Sequence, residues 1–183
     1  MLIQTEITPN PNSIKFLPAI EISKNPTHFS SIDEATNSTL AIKLLSVKNV
    51  KLVSFGYDFI TITKEEQGDW KLLESQILMV ISDHINSGLP IFDYDNKCDN
   101  NILNQDTLTD IEKQIVEIIN TKIRPAVAMD GGDIIYKEFK NGVVRLELKG
   151  ACHGCPSATV TLKNGIESML KYYIPEVKSV ESV

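Results

Sequence analysis

The sequence predicts an α/β protein of the α+β type, built as two small domains that each fold a short sheet with two helices. Three observations carry this expectation. Alternating apolar and polar residues mark a pair of strands in each half of the chain. Apolar residues at helical spacing flank those pairs. A polar stretch rich in Asp and Asn divides the two halves.

The chain has 183 residues, enough for one large domain or two small ones. It is 42% hydrophobic and 23% charged, so a core can form without disulfide support. The three cysteines, Cys98, Cys152 and Cys155, are an odd and sparse set that favours a reducing compartment. A net charge of -6 argues against long-range attraction to nucleic acid or to an anionic membrane. No apolar run approaches the length of a membrane span, and "MLIQTEITPNPN" shows neither an export nor a transit signal. Lysine far outnumbers arginine, which occurs only at Arg124 and Arg145. With abundant Ile and Asn, this bias leads to the expectation of a bacterial, cytoplasmic protein.

The expected domains are residues 1–88 and 108–183, joined by a linker over 89–107. "SGLPIFDYDNKCDNNILNQDT" lacks periodicity and cannot bury enough apolar surface to offset its ordering entropy. In the first domain, "LIQTEI" and "SIKFLP" read as strands around the turn "TPNPN". A helix is expected over 34–46, with Ser38 as the alternative N-cap of a shorter one. "VKLVSF" and "FITITK" form a hairpin around Gly56-Tyr57-Asp58. Asp69 then caps a helix over 70–86, with Leu73, Ile77, Val80, Ile81 and Ile85 towards one face, and Gly88 ends it.

The second domain has the order α-β-β-α-β, which implies a small sheet with helices on one face. Ile111, Ile115, Ile118, Ile119 and Ile123 repeat at helical spacing, and Pro125 and Gly131-Gly132 mark that helix's end or a kink before it. "DIIYKEFK" and "VVRLELK" are strands joined at Asn141-Gly142. A helix over 156–173 and the closing strand "EVKSVESV" complete the domain.

Chemistry concentrates in "KGACHGCPSATV". Cys152 and Cys155 stand at Cys-x-x-Cys spacing, which serves redox disulfides, structural zinc and iron–sulfur clusters. Zinc within one chain is poorly served. His153 sits between the cysteines, His28 and His84 read as isolated surface or core histidines, and Cys98 reads as a spare thiol in the linker. Two thiols per chain reach four most simply through a second copy of the chain, which would place a labile cluster at a two-fold interface. Pro156 suits the first position of a helix whose dipole would favour both thiolates. Two alternatives stand beside the cluster: a thiol–disulfide oxidoreductase and a zinc-stabilised interaction module. Ser157, Thr159 and Thr161 have no accompanying base, so their expected work is capping and packing.

"IRPAVAMDGGDIIY" and "LKGACHGCPSATVTLKNGIESMLKYYIPEV" resemble the C-terminal domain of the NifU-like (Nfu) iron–sulfur proteins. "QTEITPNPNSIKFLP" and "VKLVSFGYDFITITK" resemble the N-terminal domain of that family's two-domain members. The resemblance implies a non-enzymatic scaffold or carrier. It would hold a [4Fe–4S] cluster between two protomers, receive it from upstream cluster-assembly proteins and pass it to apo iron–sulfur proteins. Two thiols per chain would also suit a bridging [2Fe–2S] centre. Cys152 and Cys155 match the family's ligand positions, and Asp130-Gly131-Gly132-Asp133 matches a family signature. In physical terms its glycines permit positive φ and close backbone approach, with Asp133 tying down the turn. Ala19 departs from the family's usual glycine. The N-terminal domain offers no ligand constellation and reads, by analogy, as a module for docking or positioning partners.

Overall fold

The computed structural model describes residues 3–93, 108–152 and 162–183. The chain divides into two compact units, Met1–Asp99 and Asn100–Val183. Both combine a sheet with helices, as the sequence predicts.

In the first unit, β1 (Gln4–Ile7), β2 (Ser13–Leu17), β3 (Thr27–Phe29), β4 (Val50–Phe55) and β5 (Ile60–Lys64) form one sheet in the order β1-β2-β5-β4-β3. Every pairing is antiparallel. Helices α1 (Thr39–Leu45) and α2 (Trp70–Asn86) share a core with Phe16, Val53, Phe55, Ile60 and Ile62 from the sheet. The β4–β5 turn needs a glycine because the Phe59 ring occupies the space of a side chain at 56. A Cβ on Gly56 would lie 2.3 Å from that ring.

Helix α1 begins at Thr39, five residues after the first of the two expected starts, since residues 32–37 form turns. Ser38 is the N-cap, its Oγ accepting from the Ala41 N–H at 3.3 Å. Helix α2 runs between its expected limits, with the Asp69 side chain accepting from the Lys71 N–H and Gly88 at φ 65° just beyond. Its buried stripe is Leu73, Ile77, Ile81 and His84.

Residues 89–93, the expected start of the linker, are bound to the first unit. The Pro90 carbonyl meets His84 Nε2 at 3.0 Å, and the Ile91 carbonyl accepts from Ser38 Oγ at 2.6 Å. The Asp93 N–H donates to the Asn37 carbonyl at 2.9 Å, and the Phe92 ring stands edge-on to Phe55. The rest of the expected linker, with Cys98, lies outside the described residues.

In the second unit, helix α3 (Asp110–Ile118) opens with a complete capping box between Thr109 and Glu112. A π-helical turn (Ile119–Ile123) joins it to α4 (Arg124–Met129). Pro125 therefore neither ends the helix nor breaks it. Proline has no N–H for the carbonyl four residues back, and the wider turn before it, with the Arg124 N–H reaching the Ile119 carbonyl, accommodates that loss. The same turn has a packing consequence. Residues four apart drift around a straight α-helix of 3.6 residues per turn. A wider turn absorbs the surplus, so Ile115, Ile119, Ile123 and Val127 all reach one core.

Strands β6 (Gly132–Lys140) and β7 (Val143–Gly150) form an antiparallel hairpin. Its turn residues Asn141 and Gly142 have φ of 56° and 86°, the double positive φ that an Asn-Gly turn supplies. Helix α5 (Lys163–Tyr173) then leads to β8 (Ser179–Ser182), which pairs parallel with β7. The first part of the helix expected over 156–173 lies outside the described residues. The α-β-β-α-β order holds. Ile134, Tyr136, Val144, Leu146, Leu148 and Val180 enter the helix-covered core. Arg145, between them, turns to the other face and pairs with Glu138 and Glu181.

Candidate functional site: the glycine turn and Cys152

The second unit's hairpin places the site. Gly132 opens β6, Gly150 closes β7, and the two are register partners, so the entry to one strand and the exit of the other lie side by side. The Ala151 N–H donates across this gap to the Gly131 carbonyl at 3.1 Å. Gly131 and Gly150 have φ of 74° and 63°, values that glycine adopts without a Cβ penalty. The next residue after Ala151 is Cys152.

Gly132 meets Cys152 directly. A Cβ added at Gly132 would stand 2.3 Å from Cys152 Sγ, 3.1 Å from its Cβ and 3.2 Å from Val127 Cγ1. A side chain there would force the Cys152 sulfur to move. Cys152 is 7% exposed and belongs to the unit's core.

Asp133 anchors the turn. It is buried, and Arg124 grips both its oxygens, Nε to Oδ1 at 2.7 Å and Nη2 to Oδ2 at 3.2 Å. Nη1 of the same arginine donates to Asn120 Oδ1 at 3.2 Å. A two-toothed guanidinium contact fixes angle as well as distance, so it ties the start of β6 to the π turn and α4.

A second polar tie holds α3 on β6. The Tyr136 hydroxyl donates to Glu112 Oε1 at 2.8 Å, while Glu112 Oε2 accepts from the Thr109 N–H and hydroxyl. The Thr109 backbone and side-chain hydrogen bonds hold the Glu112 carboxyl below its ordinary range. Burial, reinforced by Glu112, pushes the Tyr136 phenol well above its own.

Of the sequence-derived site residues, Cys152 is placed as described. Cys155 and His153, with the expected helix start at Pro156, lie outside the described residues. His84 is a core histidine, and among the described residues no group of three or more His, Cys, Asp or Glu is arranged to hold a metal ion. Sequence reasoning missed Arg124 and the direct contact of Gly132 with Cys152. One signal was available for the arginine, as one of only two in the chain, nine residues before Asp133 of the glycine turn.

A two-domain α+β chain with Cys152 set against a glycine turn defines a class, and comparison with known proteins identifies it. The family model described as scaffold protein Nfu/NifU N terminal matches residues 3–88, and the NifU-like domain model matches residues 115–181. The chain is 48% identical over 186 aligned residues to the Drosophila willistoni protein named "NFU1 iron-sulfur cluster scaffold homolog, mitochondrial", covering 100% of this chain and 64% of that protein. The Drosophila grimshawi protein of the same name is 48% identical over 184 residues, covering 99% of this chain and 61% of its own length. A NifU-like protein from Saccharomyces cerevisiae, solved by NMR, aligns with 50% of this chain and 84% of its own at 26% identity and a TM-score of 0.46. The chain belongs to the Nfu-type family of iron–sulfur cluster scaffold proteins, in its two-domain form. It spans under two thirds of the length of the curated relatives named here.

These relatives correct one expectation. They are named as mitochondrial proteins, which points to the mitochondrion rather than to a bacterial cytoplasm. A lysine-rich, arginine-poor composition reflects coding bias, and sparse thiols indicate a reducing compartment without saying which one. None of the relatives named here is described as an oxidoreductase.

Proposed function

We propose that the protein is a non-enzymatic carrier that binds a labile iron–sulfur cluster as cargo through Cys152 and Cys155 and passes it to apo iron–sulfur proteins. The observation that carries this reading is the placement of Cys152 against the Gly131-Gly132 turn, with β6 and β7 holding both sides of the approach. The donor chemistry fits, because thiolates are the usual ligands of such clusters. Two thiols per chain call for a second copy to complete a [4Fe–4S] cluster, so the loaded form is a homodimer bridged by its cargo. The second unit carries the cargo, and the first, without a ligand set of its own among the described residues, positions recipient and upstream assembly proteins. The family names support a mitochondrial setting. Nothing in the reading calls for nucleic acid or membrane, and among the described residues no helix is long and apolar enough to cross a bilayer.

Anaerobic reconstitution with iron and sulfide tests it. Expected are a broad charge-transfer absorption, roughly four irons per two chains and a dimer mass, all lost in Cys152→Ala and Cys155→Ala. Roughly two irons per dimer would identify a [2Fe–2S] cargo. Normal binding and transfer by either alanine variant would overturn the assignment.

A further inference from the structure

Cys152 is a ligand that the proposed function needs at an outer surface, and the structure keeps it inside. The residue is 7% exposed and belongs to the core with Val127, Ile134 and Leu148. Gly132 lies so close that even a methyl group on it would collide with the sulfur. A cluster shared between two chains needs the opposite arrangement, with each sulfur open to iron along a lone pair and facing the partner copy.

We infer that Gly132 is a positioning residue for Cys152. It forms a side-chain-free slot that stores the thiol in the core, and cluster loading requires Cys152 to turn out of that slot. This rests on the reading of Cys152 as a cluster ligand. The slot has three fixed walls. Val127 of α4 closes one side. The Ala151 N–H to Gly131 carbonyl bond holds the cysteine's own backbone against the turn. The Arg124–Asp133 contact fixes the residue after Gly132 to the helix that carries Val127. A thiol held this way is shielded from oxidants and stray metal until a cargo is offered, because thiol reactivity follows access. The same packing favours release, since a ligand that returns to a prepared place in the core competes with its bond to the cluster.

The test uses the full chain, stripped of iron, with Cys98→Ser and Cys155→Ser so that Cys152 is the sole thiol. Its rate of reaction with a small maleimide is measured folded and in urea. The slot predicts a folded rate at least about tenfold below the unfolded rate. Gly132→Ala should raise the folded rate by about tenfold while unfolding stays cooperative. Should Gly132→Ala not fold, Arg124→Lys decides in its place. It keeps the charge but loses the two-toothed grip, so the rate must rise. A folded rate equal to the unfolded one, or an unchanged rate in the deciding variant, overturns the inference. Reconstitution of the unmodified chain separates this from the carrier reading. A slow thiol with no cluster bound discards the carrier and keeps the slot, whereas a fast thiol with cluster bound does the reverse.

Discussion

Arg124 and Asp133 form a two-toothed ion pair in which the carboxylate is buried and the guanidinium is about one third exposed, with side-chain exposures of 5% and 34%. Removing the arginine takes the two-toothed partner away from a buried carboxylate, and the partial exposure of the pair lets water relieve some of that cost. Arg124→Ala should therefore destabilise the second unit by about 2–3 kcal/mol. Arg124→Lys should recover only part of the loss. A urea titration that shows Arg124→Ala within error of the parent would mean the pair holds nothing.

Ala19 has φ 58°, the left-handed region where a Cβ costs about 1–2 kcal/mol. Glycine removes that strain and returns some of the gain as unfolded-state entropy. Ala19→Gly should stabilise the first unit by roughly 0.5–1 kcal/mol. A lower thermal midpoint would show that the Ala19 methyl makes packing contacts worth more than the backbone strain.

What was legible in the sequence was local. Asp69 and Gly88 bracket α2 because a cap and a terminating glycine act on their own backbone. Asn141-Gly142 announces its hairpin for the same reason. β3 went unseen because Thr27–Phe29 is too short to show a period and gains its place by burying Phe29 beside Phe55. The early start given to α1 at 34 passed over the turn at 32–37, which buries Ala35 without a helix. Pro125 read as marking the helix's end or a kink before it because the remedy, a π turn, lies in the residues before it. At the site, the cysteines and the glycine pair were visible as residue types. Their contact was not, because 20 positions separate Gly132 from Cys152 and only the β6–β7 register joins them.

Acid should act on the two units in separate pH windows. In the first unit, burial lowers the pKa of His84 from its ordinary 6.5, against the Pro90 carbonyl and Asp93, which raise it, and with Lys43, which lowers it further. The Pro90 carbonyl can only accept, so Nε2 carries the proton of the neutral ring, and the buried Nδ1 has no partner among the described residues for a second one. The unfolded chain therefore binds a proton first. Stability from neutral His84 is complete above about pH 6.5 and falls as the pH drops towards the lower folded value. In the second unit, Glu112 is held below its ordinary 4.5 by the Thr109 backbone and side chain, so its contribution is present above about pH 4.5 and is lost only below that. Hydrogen exchange followed from pH 7 to pH 4 should show the amides around Ser38, Ile91 and Asp93 losing protection well before those of α3. His84→Gln should flatten the first loss and leave the second in place, because glutamine can still donate to Pro90 and does not titrate. Loss of both regions together at one pH, unchanged in His84→Gln, would show that neither group sets the acid limit of its unit.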